Sequence, residues 1–339
     1  MKFGAHFLPT YVPDLDGPLT EFYQRMFEQI AELEKLGFER AWVTEHHFGD
    51  YGGSIPHPPT FLSAVACRTH RIRLGVAVAV LPLNNPLQVA ESYGMVDVIS
   101  NGRLDFGIGK GSEPIEYARF GARREEATQR MIEGTEILRQ AWSDDPVNFH
   151  GEFFDYKNVG VLPKPVQRPH PPIWVGATRT EATFHWAGEN GLNLMTIPFV
   201  HPSMGALREL VKIYREALKR AGHDSSTREI LAKFHLYVSD SLEQGIREAA
   251  PYMKNYSAIH AAVDPDRKLT KRDIVSDMER GFIIVGDPQR CIDTIRRWQA
   301  EASLTTFSFT FHFGGMPQEM ALKNIRLFAE RVMPALDHL

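Results

Sequence analysis

The feature that most limits the possible folds is a regular alternation of short β-type runs with amphipathic helical runs. Strands are predicted at residues 2–8, 39–45, 72–82, 102–109, 171–177, 192–198, 229–239 and 304–313. A helical run follows each strand, as expected for parallel strands joined by crossover helices. A doubly wound sheet would rarely continue through eight such units. The alternation therefore predicts a (β/α)8 TIM barrel, formed by one domain that spans residues 1–339.

Two segments interrupt this alternation. Residues 144–170 combine alternating aromatic residues with several prolines, which predicts a small hairpin and a loop. Residues 251–281 are charged and weakly periodic. Long insertions in compact domains often serve as lids, so a lid is one interpretation of this segment, and a solvated excursion is an equal alternative.

Composition and charge argue against several classes of function. The formal net charge of −4 leaves no broad basic surface for nucleic acid. No apolar run reaches the length of a membrane span. The first residues, MKFGAHFLPTYVPD, lack the apolar region and cleavage site of a signal peptide. We therefore expect a cytoplasmic protein that acts on small molecules and binds neither nucleic acid nor membranes.

Candidate functional residues gather where the predicted strands end, which is the face that carries the active site in TIM barrels. These residues are Glu45 and His46 after the second strand, Lys110, Gly111 and Ser112 after the fourth, Gly176, Ala177, Thr178 and Arg179 after the fifth, Phe199 after the sixth, and His312 after the eighth. Their shared position predicts one site at this end of the barrel.

The adjacent pair His46 and His47 is the most specific of these signals. Neighbouring residues on a strand point in opposite directions, so we expect one imidazole to line the pocket and the other to pack outside it. An imidazole in the pocket suits acid–base chemistry, because its ordinary pKa is about 6.5. Adjacent histidines chelate a metal poorly, and no HxH pair occurs on an early strand. No metal site is predicted.

Two loops could hold a phosphate group. In VGATRTEA, residues 175–182, small residues precede hydroxyl groups, the Arg179 guanidinium and the start of a helix. In GIGKGSEP, residues 107–114, glycines surround Lys110. The alternative for the first loop is a plain threonine N-cap, and for the second a tight turn.

With these elements in place, the sequence resembles the bacterial luciferase-like flavin monooxygenases over essentially its whole length. The segments that carry the resemblance are GFERAWVTEHHF (residues 37–48), IRLGVAVAVLPLNNPLQVAE (residues 72–91) and SNGRLDFGIGKG (residues 100–111). The resemblance implies a homodimeric barrel that binds reduced FMN, supplied by a separate flavin reductase. It implies a reaction with dioxygen, through a flavin hydroperoxide, that oxygenates a small, largely apolar substrate such as a long-chain aldehyde.

The resemblance also assigns roles to individual residues. His46 matches the essential histidine of the family. Ala77 and Val78 match a pair beneath the flavin ring that is joined by a cis peptide bond in luciferases. The cofactor site further comprises Lys110, Gly111, Ser112, Gly176, Ala177, Thr178, Arg179 and Thr180. The expected substrate pocket comprises Glu45, Phe48, Tyr117, Phe199 and His312.

Departures from the family pattern leave other functions open. Gly109 stands where luciferase has a reactive cysteine, and Ala177 stands where it has an acidic residue. Lys110 replaces an arginine. We therefore expect a luciferase-like monooxygenase and not a light-emitting luciferase. The alternatives are a deazaflavin-dependent enzyme that transfers hydride, and a flavin-binding protein without turnover.

Overall fold

The computed structural model describes residues 1–263 and 273–336. The strands are β1 (Lys2–Phe7), β2 (Arg40–Val43), β3 (Arg73–Val80), β4 (Leu104–Gly109), β5 (Val147–His150), β6 (Asp155–Val159), β7 (Ile173–Gly176), β8 (Asn193–Thr196), β9 (Ile230–Val238), β10 (Ile284–Gly286) and β11 (Thr306–Thr310). The helices are α1 (Pro13–Asp16), α2 (Leu19–Lys35), α3 (Pro58–Ala66), α4 (Pro86–Ile99), α5 (Pro114–Phe120), α6 (Ala127–Trp142), α7 (Glu181–Glu189), α8 (Met204–Arg220), α9 (Leu242–Val263), α10 (Ile274–Arg280), α11 (Pro288–Ala302) and α12 (Gln318–Arg331).

Eight parallel strands of the described chain close into a barrel, in the order β1, β2, β3, β4, β7, β8, β9 and β11, and β11 pairs with β1 to complete the ring. Each barrel strand coincides with one of the eight predicted strands, so the TIM-barrel prediction is confirmed. Strand β10 was not predicted. Its three residues pair in parallel with the carboxyl half of β9.

The first predicted insertion contains the expected hairpin, because β5 and β6 pair antiparallel. The first residues of the second predicted insertion, from residue 251, are helical. Helix α9 runs through Pro251 to Val263, and its buried face continues past the proline with Met253 and Tyr256. Residues 264–272 of this segment lie outside the described residues, and a lid function stays a prediction.

Helix amphipathicity explains how the barrel is covered. The buried residues of α2, which include Phe22, Met26, Ile30 and Leu33, recur at helical spacing and pack in the same core as the outward-facing Phe3 of β1. No helix among the described residues has both the length and the apolar character to cross a membrane.

Charged side chains fill the amino-terminal end of the barrel interior. The Arg40 guanidinium lies 3.0 Å from Asp105 and 2.9 Å from Glu229, and Arg73 approaches Asp105 to 2.8 Å. Thr306 donates a hydrogen bond to Glu229. This network closes the barrel at the end opposite the predicted site.

An apolar layer lies above the charged network. The rings of Trp42 and Trp174 meet edge to face at 5.3 Å, and Met195 and Leu231 pack with them. Gly75 is required for this packing, because a Cβ atom there would lie 2.1 Å from the Trp42 ring. The layer forms a solid floor, so any space for a ligand must lie above it, towards the carboxyl ends of the strands.

Candidate active site

A cavity of about 250 Å³ opens at the carboxyl ends of the barrel strands. It is lined by His6 and Leu8 of the first strand and its end, by Thr44, Glu45, His46 and Tyr51, by Ala77, Val78 and Val80, by residues 109–113, by Gly176, Ala177 and Thr178, by Met195, Thr196 and Ile197, and by Leu231 and Lys233. Ten of the predicted site residues therefore line one cavity: Glu45, His46, Ala77, Val78, Lys110, Gly111, Ser112, Gly176, Ala177 and Thr178.

The His46 imidazole is held by a buried carboxylate. Its Nδ1 atom lies 3.0 Å from Oε1 of Glu116, and the same oxygen accepts the backbone N–H of His47 at 2.8 Å. When Nδ1 carries the proton that Glu116 accepts, the neutral imidazole has its lone pair on Nε2. The pair therefore provides a histidine of fixed orientation that can accept a proton.

His47 lies outside the cavity, as the alternation of side chains predicts. Its Nε2 atom is 3.3 Å from Glu45, and its ring packs against the edge of Phe120 at 4.8 Å. Glu45 lines the cavity, but it also accepts hydrogen bonds from Asn84 at 2.8 Å and from the backbone N–H of Val80 at 3.2 Å. These bonds tie the loop after β2 to the end of β3, so Glu45 fixes the position of its neighbour His46.

One wall of the cavity is flat and carries small residues. It comprises Ala77 and Val78 of β3, Gly109 of β4 and Gly176 of β7. Val78 fills the space above both glycines, since a Cβ atom on Gly109 would lie 2.4 Å from it and one on Gly176 would lie 2.9 Å from it. The Ala77–Val78 peptide bond is cis, as the resemblance implies. A wall of this kind can accept a planar ring.

The loop after β4 borders this wall. Lys110, Gly111 and Ser112 line the cavity, and Gly111 has a φ of 72°, a conformation that favours glycine. The Tyr117 hydroxyl donates a hydrogen bond to the Lys110 carbonyl, which anchors the loop to α5. Burial raises the pKa of Tyr117 to about 12. Tyr117 therefore remains a hydrogen-bond donor over the physiological pH range.

The loop after β7 contributes Thr178 to the cavity, whereas Arg179 and Thr180 are exposed beside it, at the start of α7. Thr180 occupies the N-cap position, but its side chain makes no capping hydrogen bond. Burial, followed by the positive charge of Arg179, lowers the pKa of His201 to about 4. These residues leave the positive end of α7 directed towards solvent at the rim of the cavity.

Four residues expected in the substrate pocket do not line the cavity. Phe48 is 49% exposed and packs on Phe120, and Tyr117 lies behind the loop that it anchors. Phe199 is buried 6.4 Å from the ring of His235. His312 is half-buried outside this cavity, where its Nδ1 accepts a hydrogen bond from Gln29 of α2. Tyr117 belongs to α5, and the other three residues follow their strands, where strand alternation no longer fixes the direction of a side chain.

The structure also adds cavity residues that the sequence analysis missed. Among them are His6, Tyr51 and Lys233 in the wall, and Glu116 lies behind His46. Lys233 had a detectable signal, because a lysine in the middle of a strand covered on both faces is unusual. Among the described residues, no cluster of three histidine, cysteine or acidic side chains could hold a metal ion.

The closed barrel, with a histidine–carboxylate pair in a cavity at the carboxyl ends of its strands, places the chain among the TIM-barrel proteins that carry their site at this face. The family model of luciferase-like monooxygenases matches residues 1–305. The chain therefore belongs to the luciferase-like monooxygenase family, and the resemblance found in the sequence is confirmed.

Individual relatives agree with this assignment. The oxygenase component of a flavin-dependent trigonelline monooxygenase from Acinetobacter baylyi is 29% identical over 333 residues, which cover 94% of this chain and 91% of the relative. The crystal structure of monooxygenase RslO1 from Streptomyces bottropensis has a TM-score of 0.91 and 29% identity, and the match covers 99% of this chain and 100% of that one. An F420-dependent secondary alcohol dehydrogenase, with a TM-score of 0.79 and 19% identity, shares the fold; the match covers 99% of this chain and 98% of that one.

Proposed function

We propose that this protein is the oxygenase component of a two-component monooxygenase that uses reduced FMN and dioxygen to oxygenate a small, largely apolar organic substrate. The observation that carries the proposal is the His46–Glu116 pair, which shares one cavity with a flat wall of small residues. A separate flavin reductase would supply the reduced FMN, since the chain has no GxGxxG nicotinamide motif.

The residues of the cavity suit FMN. The wall formed by Ala77, Val78, Gly109 and Gly176 leaves backbone and short side chains against which an isoalloxazine ring could lie. A phosphate group would fit at the rim, where the Lys110 loop and the start of α7 supply positive charge and free N–H groups. We assign the phosphate contacts to Lys110, Gly111, Ser112, Thr178, Arg179 and Thr180.

Bound reduced flavin would supply the oxygen activation, through a flavin hydroperoxide. Within the chain, His46 would hold or transfer a proton at Nε2, and Glu116 would keep that atom directed at the reacting group. The apolar side chains of Met195, Ile197 and Leu231 would limit the access of water to the same space.

We further propose that the protein is a homodimer. Helix α4 exposes Met95, Val98 and Ile99, which are 43–50% exposed. The neighbouring loop adds Leu162, 74% exposed, and Val166, 50% exposed. This loop packs on α4, since a Cβ atom on Gly94 would lie 2.5 Å from the carbonyl of Pro163. An apolar patch of this kind is typical of a protein interface.

Rapid mixing tests the proposed function. The purified protein is mixed anaerobically with photoreduced FMN and then with oxygenated buffer, and the absorbance is followed by stopped flow. We expect an intermediate that absorbs differently from oxidised FMN and decays slowly. Direct reoxidation to FMN without an intermediate would contradict the proposal. Binding titrations with FMN and with F420 under the same conditions test the alternative of hydride transfer, which predicts a preference for the deazaflavin.

A matched pair of variants tests the role of His46. We expect His46→Ala to shorten the lifetime of the intermediate and to abolish oxygenation, with little change in FMN affinity. His47→Ala is the control, because His47 carries the same ring but lies outside the cavity. If both variants behaved alike, the assignment of His46 would be wrong.

A further inference from the structure

Three adjacent strands, β9, β11 and β1, place a row of polar side chains inside the upper barrel. In the strand register, Lys233 of β9 lies beside Ser308 of β11, and Ser308 lies beside Gly4 of β1. His6 is two residues further along β1 than Gly4, towards the carboxyl end of the strand. Lys233 and His6 line the cavity, and each is more than nine-tenths buried, at 7% and 6% exposure. They therefore reach the ligand space from the interior of the protein and not from its rim.

Several polar atoms in this row have no hydrogen-bond partner within residues 1–263 and 273–336. They are both ring nitrogens of His6, Nε2 of His235, Oγ of Ser308 and Oγ1 of Thr310. Buried polar atoms are nearly always satisfied in native proteins, so a concentration of unsatisfied ones calls for an explanation. The two groups that reach the cavity, His6 and Lys233, are the ones that a ligand could satisfy.

Lys233 is also without a counter-ion. No hydrogen bond or ion pair joins it to any described residue. Glu229, the acidic residue just before the same strand, is already shared among Lys2, Arg40 and Thr306. Burial lowers the pKa of Lys233 to about 7. A buried ammonium without a partner is unfavourable, and an anion that enters the cavity would relieve it.

The position of this row sets it apart from the proposed flavin site. In the ring of eight strands, β9, β11 and β1 lie opposite β3, β4 and β7, and β2 and β8 separate the two groups. The flat wall and the Lys110 loop both belong to β3, β4 and β7. A flavin against that wall would leave Lys233 and His6 facing the remaining space, where the organic substrate must lie.

We propose that Lys233 and His6 bind an anionic oxygen group of the organic substrate, a carboxylate being the group that they match best. The ammonium compensates the negative charge, and the imidazole can donate one N–H to the second oxygen. Burial, followed by the charges of Lys233, His235 and His46, lowers the pKa of His6, so this ring is neutral and contributes a hydrogen bond and not a charge. The inference rests on the proposed function, because it names a chemical feature of the substrate of that oxygenase.

Calorimetric titration with small probes tests the subsite directly. The full-length protein, with and without saturating oxidised FMN, is titrated at pH 6.5 with formate, acetate and benzoate, and with the uncharged formamide, acetamide and benzamide. We expect at least one acid to bind about 10-fold or more tightly than its amide, equivalent to one charge-assisted hydrogen bond. The three sizes allow for the unknown shape of the substrate.

Two lysine variants separate the subsite from the flavin site. We expect Lys233→Met to abolish the preference for the acid over its amide. The FMN dissociation constant of this variant should stay within about twofold of the unsubstituted protein's value, well under the tenfold change that corresponds to 1.4 kcal/mol. Lys110→Met should weaken FMN binding and leave the preference intact. Circular dichroism checks that both variants fold. Lys233→Met removes a charge from the interior and keeps an unbranched side chain that is one heavy atom shorter.

Three results would overturn the inference: no acid binds more tightly than its amide, the preference persists in Lys233→Met, or Lys233→Met weakens FMN and not the acids. Equal binding of acids and amides would mean that the row serves ordered water. None of these results depends on oxygen chemistry, so they leave the stopped-flow test of the oxygenase function independent.

Discussion

The clearest energetic consequence of the structure concerns Lys233, whose charge is buried without a partner. Burial lowers its pKa from 10.5 to about 7, so the folded protein binds this proton less tightly than the unfolded chain does. One pKa unit corresponds to about 1.4 kcal/mol. The shift at Lys233 therefore lowers the free energy of unfolding by about 4 kcal/mol at pH 7. Lys233→Met should remove that penalty and stabilise the protein that has no ligand bound.

The gain should depend on pH with a defined sign. The penalty is fully present below pH 7 and fades as the pH rises towards 10.5, where the unfolded chain also loses the proton. From the same pKa values we expect a gain of about 3 kcal/mol at pH 8.5 and about 1 kcal/mol at pH 10. The titratable groups facing Lys233 are His6 on β1 and His235 on β9, and His46 lies beyond His6. Burial lowers the pKa of His6 and of His235. Comparing the proteins at pH 7 and above keeps those two rings neutral in both.

Urea unfolding followed by tryptophan fluorescence measures the effect at pH 7, 8.5 and 10. The control is Lys219→Met, an exposed lysine on α8, whose substitution should change stability by no more than about 0.5 kcal/mol at each pH. A destabilised Lys233→Met protein, or a gain that did not shrink as the pH rose, would refute the account of Lys233 as an uncompensated buried charge.

Three further predictions test other parts of the architecture. Glu116→Gln keeps an acceptor for the His47 N–H but removes the carboxylate beside His46. We expect the rate of oxygenation, measured by product formation, to fall about 10-fold or more. The FMN affinity, measured by flavin titration, should not change. Gly75→Ala would force a Cβ atom against Trp42 and should lower the stability by about 1–3 kcal/mol in thermal unfolding, whereas Gly160→Ala meets open space and should be neutral. Asp105→Asn breaks one buried and one partly buried ion pair and should cost about 3–5 kcal/mol in urea unfolding. Asp144→Asn removes only an exposed pair and should change the stability by less than about 1 kcal/mol.

The eight barrel strands could be predicted because each is covered on both faces and therefore forms a nearly continuous apolar run between turn residues. Strand β3, for example, occupies Arg73–Val80 within the predicted residues 72–82. Strand β10 could not be found in this way, because three residues are too few to show a pattern. The continuation of α9 past Pro251 depends on tertiary packing of its buried face, which outweighs the local preference to end a helix at proline.

The candidate site was predictable as a group of residues in the strands and just after their ends, but not residue by residue. Ala77 and Val78 lie within β3 and His46 lies three residues after β2, and all three line the cavity, whereas Phe48, two residues beyond His46, points to solvent. Glu116 could not be inferred, because α5 has only seven residues and its approach to His46 is a contact between elements 70 residues apart. Sequence patterns do not encode such contacts.

The order of strands in the barrel gives His46 a position that its proposed role requires. It follows β2, and β2 lies between β3, which belongs to the flat wall, and β1, which carries His6. In the proposed reaction, an oxygen atom would pass from a flavin on one wall to a substrate held on the other, across the space that β2 and β8 border. A proton donor or acceptor at the end of β2 can reach both partners, whereas one at the end of β4 or β11 would lie behind one of them. The two walls and the histidine between them therefore form a single arrangement, in which substitutions at Gly109 should affect flavin binding, those at Lys233 substrate binding, and those at His46 the transfer between them.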